Sequence, residues 1–329
     1  MSDRVVLVTG GAGYVGSHAC KALAGAGYLP VTYDNLSTGH RDLVRWGPLE
    51  EGDILDGDRL DEVIERHGPR AVVHFAALSE VAESVRHPDR YRRNNVEGSQ
   101  SVLSAMVRHR IARIVFSSTA AVYGLPASVP IPEDAPRRPI NPYGETKTAI
   151  EDALVDAGRD HGVGWMALRY FNAAGADPDG EAGEHHEPES HLIPLVLDTA
   201  LGRRDTISVY GTDYPTPDGS CLRDFVHVTD LAAAHVLALE RLEDGGSSLA
   251  VNLGSGQGAS VLEIIETARQ VTGATIASVI GDRRPGDPPS LVCSPQRARR
   301  ELGWSTTFDL EAQISHAWAW HRRRFGGTV

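Results

Sequence analysis

The sequence predicts an α/β fold: a doubly wound parallel sheet over the first half, followed by a smaller, loop-rich α+β domain. Three observations carry that reading. Short apolar runs alternate with segments of helical spacing, a glycine string joins the first run to the first helix, and the alternation loosens after about residue 170 into Gly/Pro/Asp-rich stretches. Fully apolar short runs suit strands buried on both faces, and strand–helix alternation builds βαβ units with helices on both sides of the sheet.

Taken in order, 5–8, 30–33, 71–75, 113–116 and 165–168 read as strands, and 14–26, 58–66, 89–108 and 143–160 as helices. Beyond 170, the stretches 174–189, 211–219 and 281–289 read as loops around helices at 230–242, 262–271 and 310–322. Loops of that length are usually functional. The expected division is 1–170 and 171–329, with the chain crossing between the two parts.

Hydrophobic residues make up 41% of the 329, enough for a sizeable core, and the net charge is -12. So acidic a chain argues against nucleic acid or an anionic membrane as partner, while a phosphorylated small ligand needs only local positive charge. Cys20, Cys221 and Cys293 are widely spaced with no CxxC pair, which fits a reducing cytoplasm. Ser2-Asp3-Arg4 leads straight into Val5 with no basic region before a long apolar stretch, so no signal peptide is expected. The apolar run 71–78 is too short to span a bilayer. Of the 32 basic residues only Lys21 and Lys147 are lysines, which marks each of them for attention.

The first expected strand runs into Gly10-Gly11-Ala12-Gly13-Tyr14-Val15-Gly16, and a helix follows. In a dinucleotide-binding, Rossmann-like turn Gly10 permits the tight bend, Gly13 lets backbone approach a pyrophosphate, and Gly16 lets helix pack on strand. The helix N-terminus then offers N–H groups and a positive dipole to the phosphates. Asp34, 18 residues after Gly16, ends the next strand. A carboxylate there accepts from ribose hydroxyls and repels a 2′-phosphate, so NAD is expected rather than NADP.

Tyr143 and Lys147 are four apart on an expected helix and share a face. A phenol with a pKa of about 10 is a poor base at neutral pH. A nearby ammonium and a cationic nicotinamide ring would stabilise its phenolate. The strand at 113–116 ends in Ser117-Ser118-Thr119-Ala120-Ala121, at the carboxyl edge where ligands of such sheets bind. Those hydroxyls either hold a substrate hydroxyl against Tyr143 or satisfy backbone groups of a turn. Glu184-His185-His186-Glu187 reads as a solvated loop, because adjacent histidines diverge and no HExxH spacing is present; no metal site is expected. Trp318, Trp320 and the basic stretch 321–324 read as an amphipathic terminal helix rather than a nucleic-acid patch.

Further segments extend these motifs: Asp34-Asn35-Leu36, Glu51-Gly52-Asp53-Ile54, His74-Phe75-Ala76-Ala77, Asn94-Asn95-Val96 and Asn141-Pro142-Tyr143-Gly144. In the second half stand Leu168-Arg169-Tyr170-Phe171-Asn172-Ala173-Ala174-Gly175-Ala176, Tyr210-Gly211-Thr212-Asp213-Tyr214-Pro215-Thr216 and Asp218-Gly219-Ser220-Cys221-Leu222-Arg223-Asp224-Phe225-Val226-His227-Val228. With them the chain resembles, over essentially its whole length, the extended short-chain dehydrogenase/reductase family. The glycine turn and YxxxK point only to the superfamily; the later blocks resemble its nucleotide-sugar 4-epimerases.

The resemblance implies an NAD-dependent enzyme that inverts C4 of a UDP-hexose (UDP-glucose or UDP-galactose) through a transient 4-keto sugar, with hydride leaving and returning. It implies an NAD-binding first domain and a UDP-sugar-binding second one. Tyr143 would be the acid/base, Lys147 its helper, and Thr119 the family's catalytic Ser/Thr. Gly10, Gly13, Tyr14, Val15 and Gly16 would line the cofactor's pyrophosphate. Asp34, Asn35, Leu36, Ser37, Thr38, Gly39, Asp53 and Ile54 would lie about the adenosine. Phe75, Ala76, Ala77, Ser79, Asn94 and Phe171, with Tyr143 and Lys147, would line the rest.

The substrate would meet Thr119, Tyr143, Asn172, His191, Leu192, Tyr210, Arg223, Arg284, Asp287 and Leu291, the two arginines serving as phosphate forks. Ser79 stands where many members carry Lys, and His191 where an Asn often touches the substrate phosphate. Leu291 stands where many bacterial members carry a bulky Tyr, which leaves more room beside the sugar. The resemblance also implies a homodimer, through the helices 89–108 and 143–160. Two rivals stay open. One is a nucleotide-sugar 4,6-dehydratase, whose members carry an Asp-Glu pair where this chain has Ala120-Ala121. The other is a non-catalytic NAD-binding regulator, which typically lacks the Tyr or Lys kept here.

Overall fold

A computed structural model describes residues 4–284 and 286–326. Ser2 and Asp3, Pro285 within the expected loop 281–289, and residues 327–329 lie outside the described residues.

The first half alternates as expected. β1 (Val5–Thr9), α1 (Tyr14–Gly25) and β2 (Leu29–Asp34) form the opening βαβ unit. β3 (Leu49–Glu51), α2 (Gly57–His67) and β4 (Ala71–His74) follow. Then α3 (Val81–Arg86), α4 (Pro88–Tyr91) and α5 (Gly98–Arg108) lead to β5 (Arg113–Thr119), and α6 (Pro142–His161) leads to β6 (Gly164–Tyr170). The second half runs β7 (Asn172–Ala174), α7 (Leu192–Ala200), β8 (Ile207–Tyr210), β9 (Leu222–Arg223), β10 (Phe225–His227) and α8 (Val228–Glu243). It continues with β11 (Leu249–Leu253), β12 (Ala259–Ser260), α9 (Val261–Thr272), β13 (Ser278–Gly281), β14 (Ser290–Leu291), α10 (Gln296–Leu302) and α11 (Leu310–Phe325).

Seven strands form one Rossmann-like sheet in the order β11-β6-β5-β4-β1-β2-β3, every pair parallel. Its apolar runs are explained by burial on both faces. On β1, Val6 and Val8 pack with Cys20 and Leu23 of α1 and Leu231 and Leu239 of α8. Leu7 points the other way, to Leu60 of α2, Met106 of α5 and Leu154 of α6. A separate core joins α7, α9 and α11 through Val196, Ile264 and Ile314, beside the short pairings β10-β7, β12-β9-β14 and β13-β8.

Two features depart from the sequence reading, and the crossing it expects takes a definite form. β3 is a three-residue edge strand, Leu-Glu-Glu, with no apolar run to announce it. β11 lies beyond residue 170 yet pairs with β6, and α8 packs on α1, so the chain crosses back to complete the sheet's layers. The helix expected over 89–108 is α4 and α5 joined by a π-helical stretch, Arg92–Glu97, a rare form often found at functional sites. That stretch buries Asn95, whose Oδ1 accepts from Leu78 N–H at 2.8 Å while its Nδ2 donates to Leu78 O at 3.0 Å and Thr146 Oγ1 at 3.1 Å. Among the described residues no helix is long and apolar enough to cross a membrane.

Candidate active site

β1 has β2 on one side and β4 on the other, so strand order reverses at its carboxyl end. Ligands of open α/β sheets bind at such a switch point. A cleft of about 1100 Å³ opens there, between the sheet's carboxyl edge and the second half of the chain.

The glycine turn forms its floor. Gly10 has φ +76° and lies against the backbone of Ala76, and a Cβ on Gly16 would stand 2.1 Å from Gly10 O; folding itself demands both. Gly13 differs: its φ is an ordinary -82°, and an added Cβ would meet only Gly10 O, at 3.4 Å. It caps α1 with no side-chain hydrogen bond, leaving the first-turn N–H groups to the cleft. Its missing side chain therefore serves what enters the cleft, and a pyrophosphate fits that cradle. Asp34 lines the same wall. Its Oδ2 accepts from Ala12 N–H at 3.0 Å and its Oδ1 from Leu36 N–H at 2.8 Å, which fixes the carboxylate; burial raises its pKa against those two bonds.

α6 presents the reactive pair. Asn141 caps it, Oδ1 accepting from Gly144 N–H at 2.8 Å, and Pro142 opens the first turn, so Tyr143 enters at a defined angle. Tyr143 and Lys147 both line the cleft, with Lys147 Nζ 5.9 Å from the Tyr143 ring centre. Burial raises the Tyr143 pKa, with the Tyr170 and Glu80 side chains adding to it, and a hydrogen bond from Thr119 opposes the rise. Burial pushes Lys147 down to about 7, against the pull of Glu151. The ammonium is 2% exposed and donates to Ser117 O at 2.8 Å; among the described residues its other N–H donors have no protein acceptor. Such a group is matched to ligand hydroxyls rather than to the protein around it.

The three hydroxyls at the end of β5 separate in role. Ser117 pairs with Tyr170 OH at 2.5 Å, and Ser118 donates to Glu151 Oε1 at 2.6 Å. Thr119 Oγ1 accepts from Ala121 N–H at 3.2 Å, capping a short 3₁₀ turn, and keeps its own proton to donate into the cleft. Turn and site readings thus both hold for Thr119.

The opposite wall carries the cations. Arg223 donates to Leu222 O at 2.7 Å and Pro288 O at 3.0 Å and pairs with the Asp287 carboxylate. Arg284 stacks 4.1 Å over the ring of Tyr210, whose pKa it lowers. Asn172, His191, Leu192 and Leu291 complete that wall.

The cleft thus gathers every residue that the resemblance assigns to catalysis, cofactor or substrate except Leu36 and Asp53. Leu36, at φ +55°, gives its N–H to Asp34; Asp53 stands behind Asn35, accepting from its Nδ2 at 3.0 Å. Both support the wall rather than form it. Glu184-His185-His186-Glu187 is not a solvated loop: Glu184 is buried, His186 is largely covered, and His191 Nδ1 lies 2.6 Å from Glu184 Oε1. The sequence reading also missed the polar network behind α6. Arg169 Nε and Nη2 donate to both oxygens of buried Glu151 at 2.8 and 2.6 Å, and Arg169 Nη1 reaches Tyr123 OH at 2.9 Å. The only advance signal was the i, i+4 step from Lys147 to Glu151.

The chain matches the NAD dependent epimerase/dehydratase family over residues 6–254. A UDP-glucose 4-epimerase of Rhizobium meliloti (strain 1021) is 52% identical over 327 residues, which is 99% of this chain and 100% of that protein. The solved UDP-glucose 4-epimerase from Brucella ovis in complex with NAD superposes with a TM-score of 0.95 at 52% identity, covering 96% of this chain and 98% of that one. The UDP-glucose-4-epimerase from Stenotrophomonas maltophila with bound NAD and formylated UDP-arabinopyranose gives a TM-score of 0.96 at 39% identity, over 99% and 100%. With so long a family match and relatives alike from end to end, the chain belongs to the NAD dependent epimerase/dehydratase family.

Proposed function

We propose that this chain, with NAD, interconverts UDP-glucose and UDP-galactose by inverting C4 of the sugar. One observation carries the proposal above the others: Tyr143 and buried Lys147 share a face of α6 in the cleft floored by the glycine turn, and among the described residues the Lys147 ammonium keeps donors with no protein acceptor.

Bound NAD would supply the hydride acceptor and donor at C4, so a carbinol can become a ketone and be reduced again. The chain's own residues do the rest. Gly13 and the start of α1 receive the pyrophosphate, and Asp34 receives the adenosine ribose. Lys147 donates to ribose hydroxyls, and ligand contacts there favour its charged form against the burial that weakens it. Thr119 and the ammonium lower the cost of a phenolate on Tyr143, which takes the proton of the 4-hydroxyl and later gives one back. Arg223 and Arg284 hold the diphosphate and Asn172, Tyr210 and Asp287 the rest of the UDP group, while the 4-keto sugar turns. That turn needs a firm grip on the nucleotide and a loose one on the hexose. The wall beside the sugar is formed by Leu291, with room beyond a hexose.

Residues 1–170 are assigned to the dinucleotide and 171–329 to the UDP-sugar, with α8 and β11 crossing back. A homodimer is supported by the family resemblance and by Val155, half exposed on α6. A cytoplasmic location is supported by three free, buried cysteines. The dehydratase reading is disfavoured because Ala120 and Ala121 have no proton to move, and the regulator reading because Tyr143 and Lys147 are both kept.

The test is product analysis by NMR after incubating purified protein, without added cofactor, with UDP-hexoses, UDP-N-acetylhexosamines and UDP-pentoses. UDP-galactose is expected to equilibrate with UDP-glucose, and Tyr143→Phe to slow this about 10²–10⁴-fold with bound NAD unchanged. A Tyr143→Phe protein that holds NAD and turns over at near-normal rate overturns the assignment, and a product short of one water establishes the dehydratase.

A further inference from the structure

Glu184, His186, Glu189 and His191 lie on one loop at the mouth of the cleft, and one ligand atom from each converges within 4.8 Å of the others. We propose that this cluster binds one divalent transition-metal cation of the zinc class. The site shares His191 with the substrate wall of the cleft, but the argument for it does not depend on the epimerase reading.

Geometry supplies the first argument. Bonds of ~2.0–2.1 Å to a tetrahedral ion place its ligand atoms about 3.3–3.4 Å from one another. Here His186 Nδ1 is 3.3 Å from Glu184 Oε1 and 3.7 Å from Glu189 Oε2, and His191 Nδ1 is 3.5 Å from Glu189 Oε1. The 2.6 Å between His191 Nδ1 and Glu184 Oε1 must open by less than an ångström, and all four ligand atoms already lie within 4.8 Å of one another.

Donor chemistry supplies the second. Two imidazole nitrogens with two carboxylate oxygens suit zinc and its neighbours, whereas calcium and magnesium ask for six or more oxygens. The third argument is a loosely held nitrogen: His186 Nδ1 is buried and faces two carboxylates at 3.3 and 3.7 Å, but makes no hydrogen bond of good geometry to either. An ion between these groups satisfies it.

The Glu189 carboxylate and the backbone of Glu184 are both held. Glu189 Oε1 accepts from the N–H groups of Ser190 at 2.8 Å and His191 at 2.9 Å, and the Glu184 backbone O accepts from Trp320 Nε1 at 3.0 Å. Such outer contacts orient ligands. His185 is not among them; its ring stacks on His40 with centres 4.0 Å apart. The ion's place in the fold gives it a use. His186 meets Tyr14 edge to face at 6.4 Å, and Tyr14 is the first residue of α1, where the pyrophosphate cradle begins. An ion here pins the loop that delivers His191 and Leu192 against the cofactor turn.

Without an ion the same atoms form imidazolium–carboxylate pairs, and the experiment separates the two states. Chelator-treated protein is titrated with Zn²⁺ by calorimetry, and with Co²⁺ by visible absorption, which reports tetrahedral ligation directly. One equivalent per chain and a tetrahedral Co²⁺ spectrum are expected. His186→Ala and the near-isosteric Glu189→Gln should each weaken binding at least as much as the roughly 10–100-fold that outer-sphere changes cost, while His40→Ala leaves it unchanged. Bound NAD and circular dichroism confirm that the variants fold. Absence of saturable binding, a Co²⁺ spectrum without tetrahedral bands, or full binding by Glu189→Gln overturns the site. The spectrum decides the matter on the unaltered protein even if a variant does not fold.

Discussion

On the sheet side of the cleft, Thr119, Tyr143 and Lys147 stand on β5 and α6, and what holds them lies behind the wall: Asn141 at the helix start, Glu151 and Arg169 at its back. On the opposite side, Tyr210, Arg223, Arg284 and Asp287 stand on short strands and loops and hold one another across the wall itself. The sheet side is thus arranged before any ligand arrives, with donors of Lys147 left over. The cap side is arranged around its own ion pair and stack, which an incoming diphosphate would displace. Under the proposed function, chemistry sits on the first kind of wall and nucleotide grip on the second.

The largest way to break this contrast is Arg169→Met. It leaves buried Glu151 with Arg137, at 3.2 Å, as its remaining ion pair among the described residues, and should cost about 3–5 kcal/mol in denaturant unfolding. Adding Glu151→Met should restore most of that loss, since a buried pair is often replaceable by apolar side chains. A single-variant cost near zero would show that α6 is not held from behind.

Arg223→Lys probes the cap side. It keeps the charge and loses the fork, so about 1.5–3 kcal/mol of charge-assisted bonding should go, a rise in KM of tenfold or more for UDP-sugars with kcat little changed. A fall in kcat alone would place Arg223 in the chemistry instead.

The glycine turn sharpens the comparison within one loop. Gly16→Ala drives a Cβ into Gly10 O and should cost about 1–3 kcal/mol or more in stability. Gly13→Ala should move stability by under about 0.5 kcal/mol and appear instead as lost NAD in the purified protein. Equal loss of stability in both would remove the cradle argument.

pH probes the sheet layers through four buried histidines. Burial pushes His18 and His235 down to about 4 and His74 and His227 to about 3, all packed about the sheet layers. Each stays neutral folded and is protonated unfolded once pH falls below about 6.5. Their share of stability is therefore present above that pH and lost as pH falls towards the folded values, by about 1 kcal/mol per pH unit for each. Melting temperatures between pH 7 and 5 should fall accordingly; an unchanged melting point would mean the rings take up protons folded as readily as unfolded.

The sequence reading was strongest where one local pattern does the work. Strand, glycine turn and helix lie in consecutive residues, Asp34 follows one βαβ step later, and Tyr143 and Lys147 are a single helical turn apart. It was even-handed on Thr119 because a hydroxyl at a strand end serves a turn and a ligand with the same atom. It failed at β3, whose three residues show no period, and at the π-helical stretch, which depends on Asn95 finding Leu78 and Thr146. It read Glu184 to Glu187 as a solvated loop from diverging histidines and the lack of HExxH spacing, because the contacts of Glu184 and His186 with Glu189 and His191 depend on the path of a loop.

Taken alone, the residues determined that the chain folds into a parallel, doubly covered sheet with a dinucleotide turn and a Tyr–Lys pair, because periodicity and i, i+4 spacing are properties of neighbours along the chain. Only tertiary packing decided that β11 completes that sheet, that Arg169 braces Glu151, that Asp287 holds Arg223 and that a loop turns two histidines onto two carboxylates. Those contacts join side chains brought together by the burial of apolar surface far from either partner, a sum over the whole molecule that no single stretch of residues carries.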